Sequence, residues 1–188
     1  KSDFNKMNPF PGAVAGKIVA AQTEPDMGAA PSLKFLTEQQ VNDAKRLRDD
    51  LATADGQSNM GMDSLLFVAR KDVTSGKIDH ALLTFKSALV ITPDDSQLWT
   101  EMADAANRIT DNSDVNNQGL SAAINAYMVS RTKSLRAQAL ASMAKALENV
   151  QNYRAGINAY KASLKLVQSP AVQTAYEDLR ARQGFRVT

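Results

Sequence analysis

The sequence predicts an all-α protein: a right-handed superhelix of about three helix-turn-helix units, preceded by an extended segment and an extra helix, and closed by a capping helix. Apolar residues recur at helical spacing from Thr37 onward. The stretch Ala137–Pro170 reads as two amphipathic helices with a short break, and residues 62–95 and 96–136 can be laid on it in register. Within that stretch the small residues Ala144 and Gly156 fall where two helices must cross closely, and Tyr160 falls where the crossing must be filled. A helix pair of this kind leaves apolar surface on both flanks and requires neighbours. At 188 residues and 44% hydrophobic content, the chain suffices for one well-buried domain with a tether.

Residues 1–36 are rich in Gly, Pro and Ala. Pro9, Pro11, Pro25 and Pro31 exclude a long helix there, because each removes a donor and biases the preceding residue toward extended geometry. The segment is expected to be an extended linker with at most one short strand, at Ala15–Ala20. Residues 37–184 then form the helical domain. Thr37 and Gln40 match a capping box. Val41, Ala44, Leu47 and Leu51 form an apolar stripe after it, with Asp43, Lys45 and Arg46 facing outward. This first helix should end before Gly56, with a polar loop at Gly56–Gly61.

From Met62 the chain supplies Leu65, Val68 and Ala69, a turn glycine at Gly76, then Ala81, Phe85 and Ala88 and a terminating Pro93. Asp72 stands where an apolar or small residue is expected. In this order of bulky, small and turn residues, the phrase GKIDHALLTFKSALVITP above all, the chain resembles the tetratricopeptide repeat. A second unit starts at Ser96 with Trp99, Met102, Ala103 and Ala106, and its second helix supplies Ala123, Tyr127 and Ser130. That helix arrives late, so the polar run TDNSDVNNQG is expected to be an inserted loop. The third unit begins at Ala137, with Gln151 where a turn glycine would sit. AVQTAYEDLRARQG follows as the closing helix, burying Val172, Ala175, Tyr176 and Leu179 and stopping at Gly184. Residues 185–188 suit the start of a following domain.

Composition and motifs argue against several chemistries. The net charge of +2 comes from 22 basic and 20 acidic residues, well mixed, so no basic stripe tracks a nucleic-acid backbone. No apolar run is long enough to insert into a membrane. Without cysteine there is no disulfide, thiolate metal site or thiol nucleophile. The single histidine, His80, reads as a solvent-facing helix residue. PGAVAGKI is one residue short of a phosphate-binding loop, and Ile18 replaces the hydroxyl that would hold magnesium. DVNNQG has the opening oxygens of a calcium loop, but Asn125 stands where a bidentate glutamate is needed. Acidic residues follow helix starts or lie near Lys and Arg, and no pair is set aside for glycoside chemistry. The reading is a protein that is not an enzyme and has no cofactor or metal.

What remains is a binding surface. The tetratricopeptide resemblance implies that the first helix of each unit lines a concave face, which in this sequence selects Arg70, Gln97, Thr100, Asp104, Arg108, Gln138, Lys145 and Glu148 as candidate binding residues. Arg70, Arg108 and Lys145 are basic, yet the asparagines of a carboxylate clamp do not accompany them in the family's pattern.

The two ends carry a second resemblance. SPAVQTAYEDLRARQGFRVT is similar to the junction between the helical region and the first macroglobulin-like β-domain of large bacterial alpha-2-macroglobulin family proteins. KSDFNKMNPFPGAVAGKIV resembles the tail of an apple (PAN) domain, which precedes the helical region in a subset of that family. The resemblance implies a module of a periplasmic or membrane-tethered protease trap, whose bait and thioester lie outside these cysteine-free residues. Its partners would be other domains of the same polypeptide, a protease or a peptide segment. The other reading is a free-standing adaptor that binds an extended peptide in its groove.

Overall fold

In the computed structural model the chain divides after Ala30. The structure describes residues 30–54 and 59–184. The expected strand at Ala15–Ala20, residues 56–58 of the Gly56–Gly61 loop, the apple-like N-terminal stretch and residues 185–188 lie outside the described residues.

Among the described residues there are eight helices: α1 (Glu38–Thr53), α2 (Met62–Thr74), α3 (Ile78–Ile91), α4 (Ser96–Ala106), α5 (Ser113–Val129), α6 (Lys133–Asn149), α7 (Tyr153–Leu166) and α8 (Pro170–Gly184). The all-α class is therefore observed. Side chains that satisfy the free N–H groups of the first turn set most of the helix starts. Thr37 and Gln40 complete the capping box of α1. Asp95, Asn112, Thr132 and Asn152 each accept from a backbone N–H in the first turn of α4, α5, α6 and α7.

Successive helices pack on one another from α2 to α8, and α4 also packs on α6. The interior is built from the apolar stripes: Leu65 and Ala69 of α2, Phe85 and Ala88 of α3, Trp99 and Met102 of α4, Leu140, Met143 and Leu147 of α6. Helix α1 departs from the sequential order, since it lies against α3 and α5. Asn125 of α5, fully buried, donates its Nδ2 to the Ala44 carbonyl of α1 at 2.8 Å. Residues 31–36, assigned to the linker on composition, also contribute: Leu33, Phe35 and Leu36 pack against the core, and the Tyr127 hydroxyl donates to the Pro31 carbonyl at 3.3 Å.

The break between α2 and α3 and the break between α6 and α7 share one geometry. Gly76 has φ 77° and Gln151 φ 63°. The residue after each closes back over the helix, Lys77 N to Asp72 O at 2.8 Å and Asn152 N to Leu147 O at 2.9 Å. This is a helix C-terminus turned by a left-handed residue, the conformation that glycine adopts without strain. Gln151 pays a steric cost that Gly76 avoids, so Gln151→Gly is expected to stabilise the fold by about 1 kcal/mol, and Gly76→Gln to destabilise it by a similar amount. No atom would obstruct a side chain at Gly76, so the loss there should be conformational alone. Urea unfolding of the two variants measures both.

Two sequence expectations are corrected. The run TDNSDVNNQG is not a loop, because α5 begins at Ser113 and takes in most of it. Asn116 is buried and donates to the Thr110 and Asn149 carbonyls, and Gly119 lets α5 approach α4 so closely that a Cβ there would lie 3.0 Å from Ala106 Cβ. The oxygens of DVNNQG, which lacks the bidentate glutamate of a calcium loop, are wound into the first turns of α5. Helix α6 also starts earlier than Ala137, at Lys133, because Thr132 caps it one turn ahead.

Candidate binding groove

Helices α4, α6 and α8 border a groove of about 650 Å³, and α7 supplies part of its floor. The groove exists because small residues occupy its walls: Ala137 and Ala141 from α6, Ala171 and Ala175 from α8. Larger side chains at these places would close it.

Polar bonds lock α4 and α6 along one side. Ser142 Oγ donates to Asp104 Oδ1 at 2.5 Å, Asn107 Nδ2 donates to the Ser142 carbonyl at 3.0 Å, and Asn149 Nδ2 donates to the Asn107 carbonyl at 3.3 Å. Thr100 and Asn107 are themselves buried, and Thr100 Oγ1 and Asn107 Oδ1 have no hydrogen-bond partner among the described residues. Asp104 is exposed along the groove, yet protein crowds its carboxyl. Burial raises its pKa above the ordinary carboxylate value, the Ser142 hydroxyl opposes this, and Glu101 adds a smaller push upward.

That shift has a sign in stability. Below about pH 4 the carboxyl is protonated in both folded and unfolded chains, and its burial costs little. As pH rises the unfolded chain ionises first, so stability falls until folded Asp104 ionises too. The difference in stability between Asp104→Asn and the wild type is therefore expected to move in the variant's favour as pH rises from about 4. Denaturant titrations at stepped pH measure it, and a difference that stays flat would contradict the assignment.

At one end of the groove stand two cations. Arg108 is exposed and in no ion pair among the described residues. Lys145 lies 3.6 Å from Glu148 Oε2. The Glu148 side chain is only 10% exposed, and its Oε1 accepts from Arg182 Nη2 of α8 at 2.5 Å. Tyr160, on the floor, has its hydroxyl pushed up to about 12, first by burial and then by the Glu148 charge.

Of the residues selected from sequence, the structure brings Thr100, Asp104, Arg108, Gln138 and Lys145 together in this groove. Glu148 is beside it, held between Lys145 and Arg182. Gln97 lines a separate depression with Asp94 and Arg131. Arg70 is elsewhere on α2, bonded to Glu101 of α4 by Nε at 2.6 Å and Nη2 at 3.1 Å. The contributions of α7 and α8 were not anticipated. The alanine spacing in AVQTAYEDL carries the signal for α8, but such residues read equally well as packing positions.

The Asp72–His80 pair also went unread. His80 is largely exposed as expected, but its Nδ1 meets the buried Asp72 carboxylate, which explains an acidic residue at an apolar position of α2. Among the described residues no cluster of three or more His, Asp or Glu is placed to hold a metal, and no helix is long and apolar enough to cross a membrane. Compared with known proteins, the chain matches no family model and no curated sequence.

Proposed function

We propose that the chain is a non-catalytic helical-repeat module that seats an extended protein segment in the groove of α4, α6 and α8. The observation that carries this reading is the groove itself: its walls are lined by alanines, with Asp104, Arg108 and Lys145 toward one side. An apolar channel beside a few fixed polar groups suits a peptide backbone with small side chains. In this reading α2 to α7 form three tetratricopeptide-like pairs in a right-handed superhelix, with α8 as the cap. Support comes from the matched turns at Gly76 and Gln151 and from the burial of Leu65, Ala69, Ala81, Phe85 and Ala88 in the first pair.

By the resemblance of its two ends, the module belongs to a bacterial macroglobulin-type protease trap on the periplasmic side of a membrane. There it braces or recruits, and the inhibitory chemistry lies in other domains. The exposure of Asp104, Arg108 and Gln138 along the groove favours a second reading as well, a free-standing adaptor. A parent reading frame that continues into β-domains with a bait region selects the first, and its absence selects the second.

Binding is tested with the full chain on an array of extended peptides. Ala141→Trp, which fills the groove from its α6 wall, and the charge reversals Arg108→Glu and Lys145→Glu are each expected to weaken capture about tenfold or more while circular dichroism stays unchanged. Capture that survives all three removes the groove from consideration.

A further inference from the structure

On α2, Phe67 is 69% exposed, the most open of the large apolar side chains among the described residues. Asp63 precedes it by one helical step of four and Lys71 follows it by the same step. Both are exposed, and neither is in an ion pair among the described residues. Residues four apart form a ridge on a helix surface, so Asp63, Phe67 and Lys71 make one ridge with an aromatic at its centre and opposite charges at its ends. We infer that this ridge is a docking face for a second copy of the chain, with the two α2 helices antiparallel about Phe67.

The charge order identifies the occupant. When two such ridges interdigitate at a crossing angle of about 50°, a two-fold axis through Phe67 sets each Asp63 against the partner's Lys71 and brings the two phenyl rings into offset contact. A parallel pairing would oppose like charges. A foreign partner would require no such symmetry, and self-complementarity is what an isologous contact demands. The ridge is also held rigid, because neighbouring Arg70 is fixed on Glu101 of α4 and costs little further ordering on docking. The face is separate from the groove: the depression that includes Asp63, Phe67 and Lys71 shares no residue with it.

One helix per subunit is less surface than the roughly 1,200–2,000 Å² of a stable complex, so the dimer is weak, with a Kd on the order of 10–100 µM. Sedimentation velocity of the full chain at low ionic strength is expected to show a concentration-dependent dimer. Phe67→Ala, Asp63→Lys and Lys71→Asp should each weaken it about tenfold or more without changing the circular dichroism spectrum. An equimolar mixture of the Asp63→Lys and Lys71→Asp chains should dimerise again, because each repelling surface then meets its complement. A wild type that stays monomeric at about 1 mM overturns the inference. So does a dimer indifferent to Phe67→Ala and Asp63→Lys, or a mixture in which dimerisation is not restored.

Discussion

Trp99→Ala is expected to lower the unfolding free energy by about 3–5 kcal/mol and to abolish the groove with it. Trp99 is fully buried on α4, and its indole Nε1 donates to the Pro93 carbonyl at 2.8 Å in the turn that closes α3. The side chain therefore fills the centre of the helix stack and pins the entry to α4. Because α4 presents Thr100 and Asp104 to the groove, loosening it removes one wall. Trp99→Phe separates the two contributions. It keeps most of the packing but leaves the carbonyl without its donor, for a loss of about 1–3 kcal/mol. Urea unfolding followed by circular dichroism suits both variants, since Trp99 is the only tryptophan and fluorescence vanishes with it. A loss below about 1 kcal/mol for alanine would show that α4 is held by other means.

Local signals in the sequence were read correctly where the physics is local. The Thr37–Gln40 box involves four consecutive residues, and it forms. Gln151 falls at a break between two amphipathic stretches, and it takes up the left-handed conformation that glycine adopts without strain. The failures share a cause. Asn116 and Gly119 have loop propensities, and nothing within a few residues shows that Asn149 receives the one or that Ala106 crowds the other. Propensity reports what a residue prefers alone, and tertiary contacts override it. Asp72 was likewise an anomaly until His80 stood beside it.

The candidate groove divides along the same line. Thr100 and Asp104 share a stripe of α4 that Arg108 continues just past its end, and Gln138 and Lys145 share a stripe of α6, so one helical register places each set. Whether two stripes face the same space depends on how helices stack. Arg70 shows the difference: it belongs to α2, bonds to Glu101 of α4 and lies outside the groove. The wall from α8 needed the packing of Leu179 against α7, which no pattern in the sequence specifies.

That packing sets the second large expected effect. A Cβ placed on Gly156 of α7 would lie 3.2 Å from the Ala144 carbonyl oxygen of α6 and 3.2 Å from Leu179 Cδ2 of α8. Helix propensity alone would make Gly156→Ala favourable by about 1 kcal/mol. The crossing should reverse that sign, since a backbone oxygen cannot swing aside as a side chain can, and a net loss of about 1 kcal/mol is expected, rising to about 3 kcal/mol for Gly156→Val. Leu179→Ala should cost about 2–5 kcal/mol by leaving a cavity. In the Leu179→Ala background the penalty of Gly156→Ala should shrink but persist, because one of its two obstacles remains, giving a coupling of roughly 0.5–1 kcal/mol in a double-mutant cycle. A stabilising Gly156→Ala would mean that α6 and α7 do not approach through this residue. A penalty untouched by Leu179→Ala would mean that α8 leans on something else. The bond from Arg182 to Glu148 at 2.5 Å holds the far end of α8, but it is exposed on the arginine side and weakens with salt, so the apolar contacts, with Leu179 over Gly156 at their centre and Val172, Ala175 and Tyr176 packed beside it, carry most of the attachment. Variants that loosen these contacts should then lose peptide capture in the groove before they lose helix content, since α8 supplies Ala171, Val172 and Ala175 to the wall and little to the rest of the core.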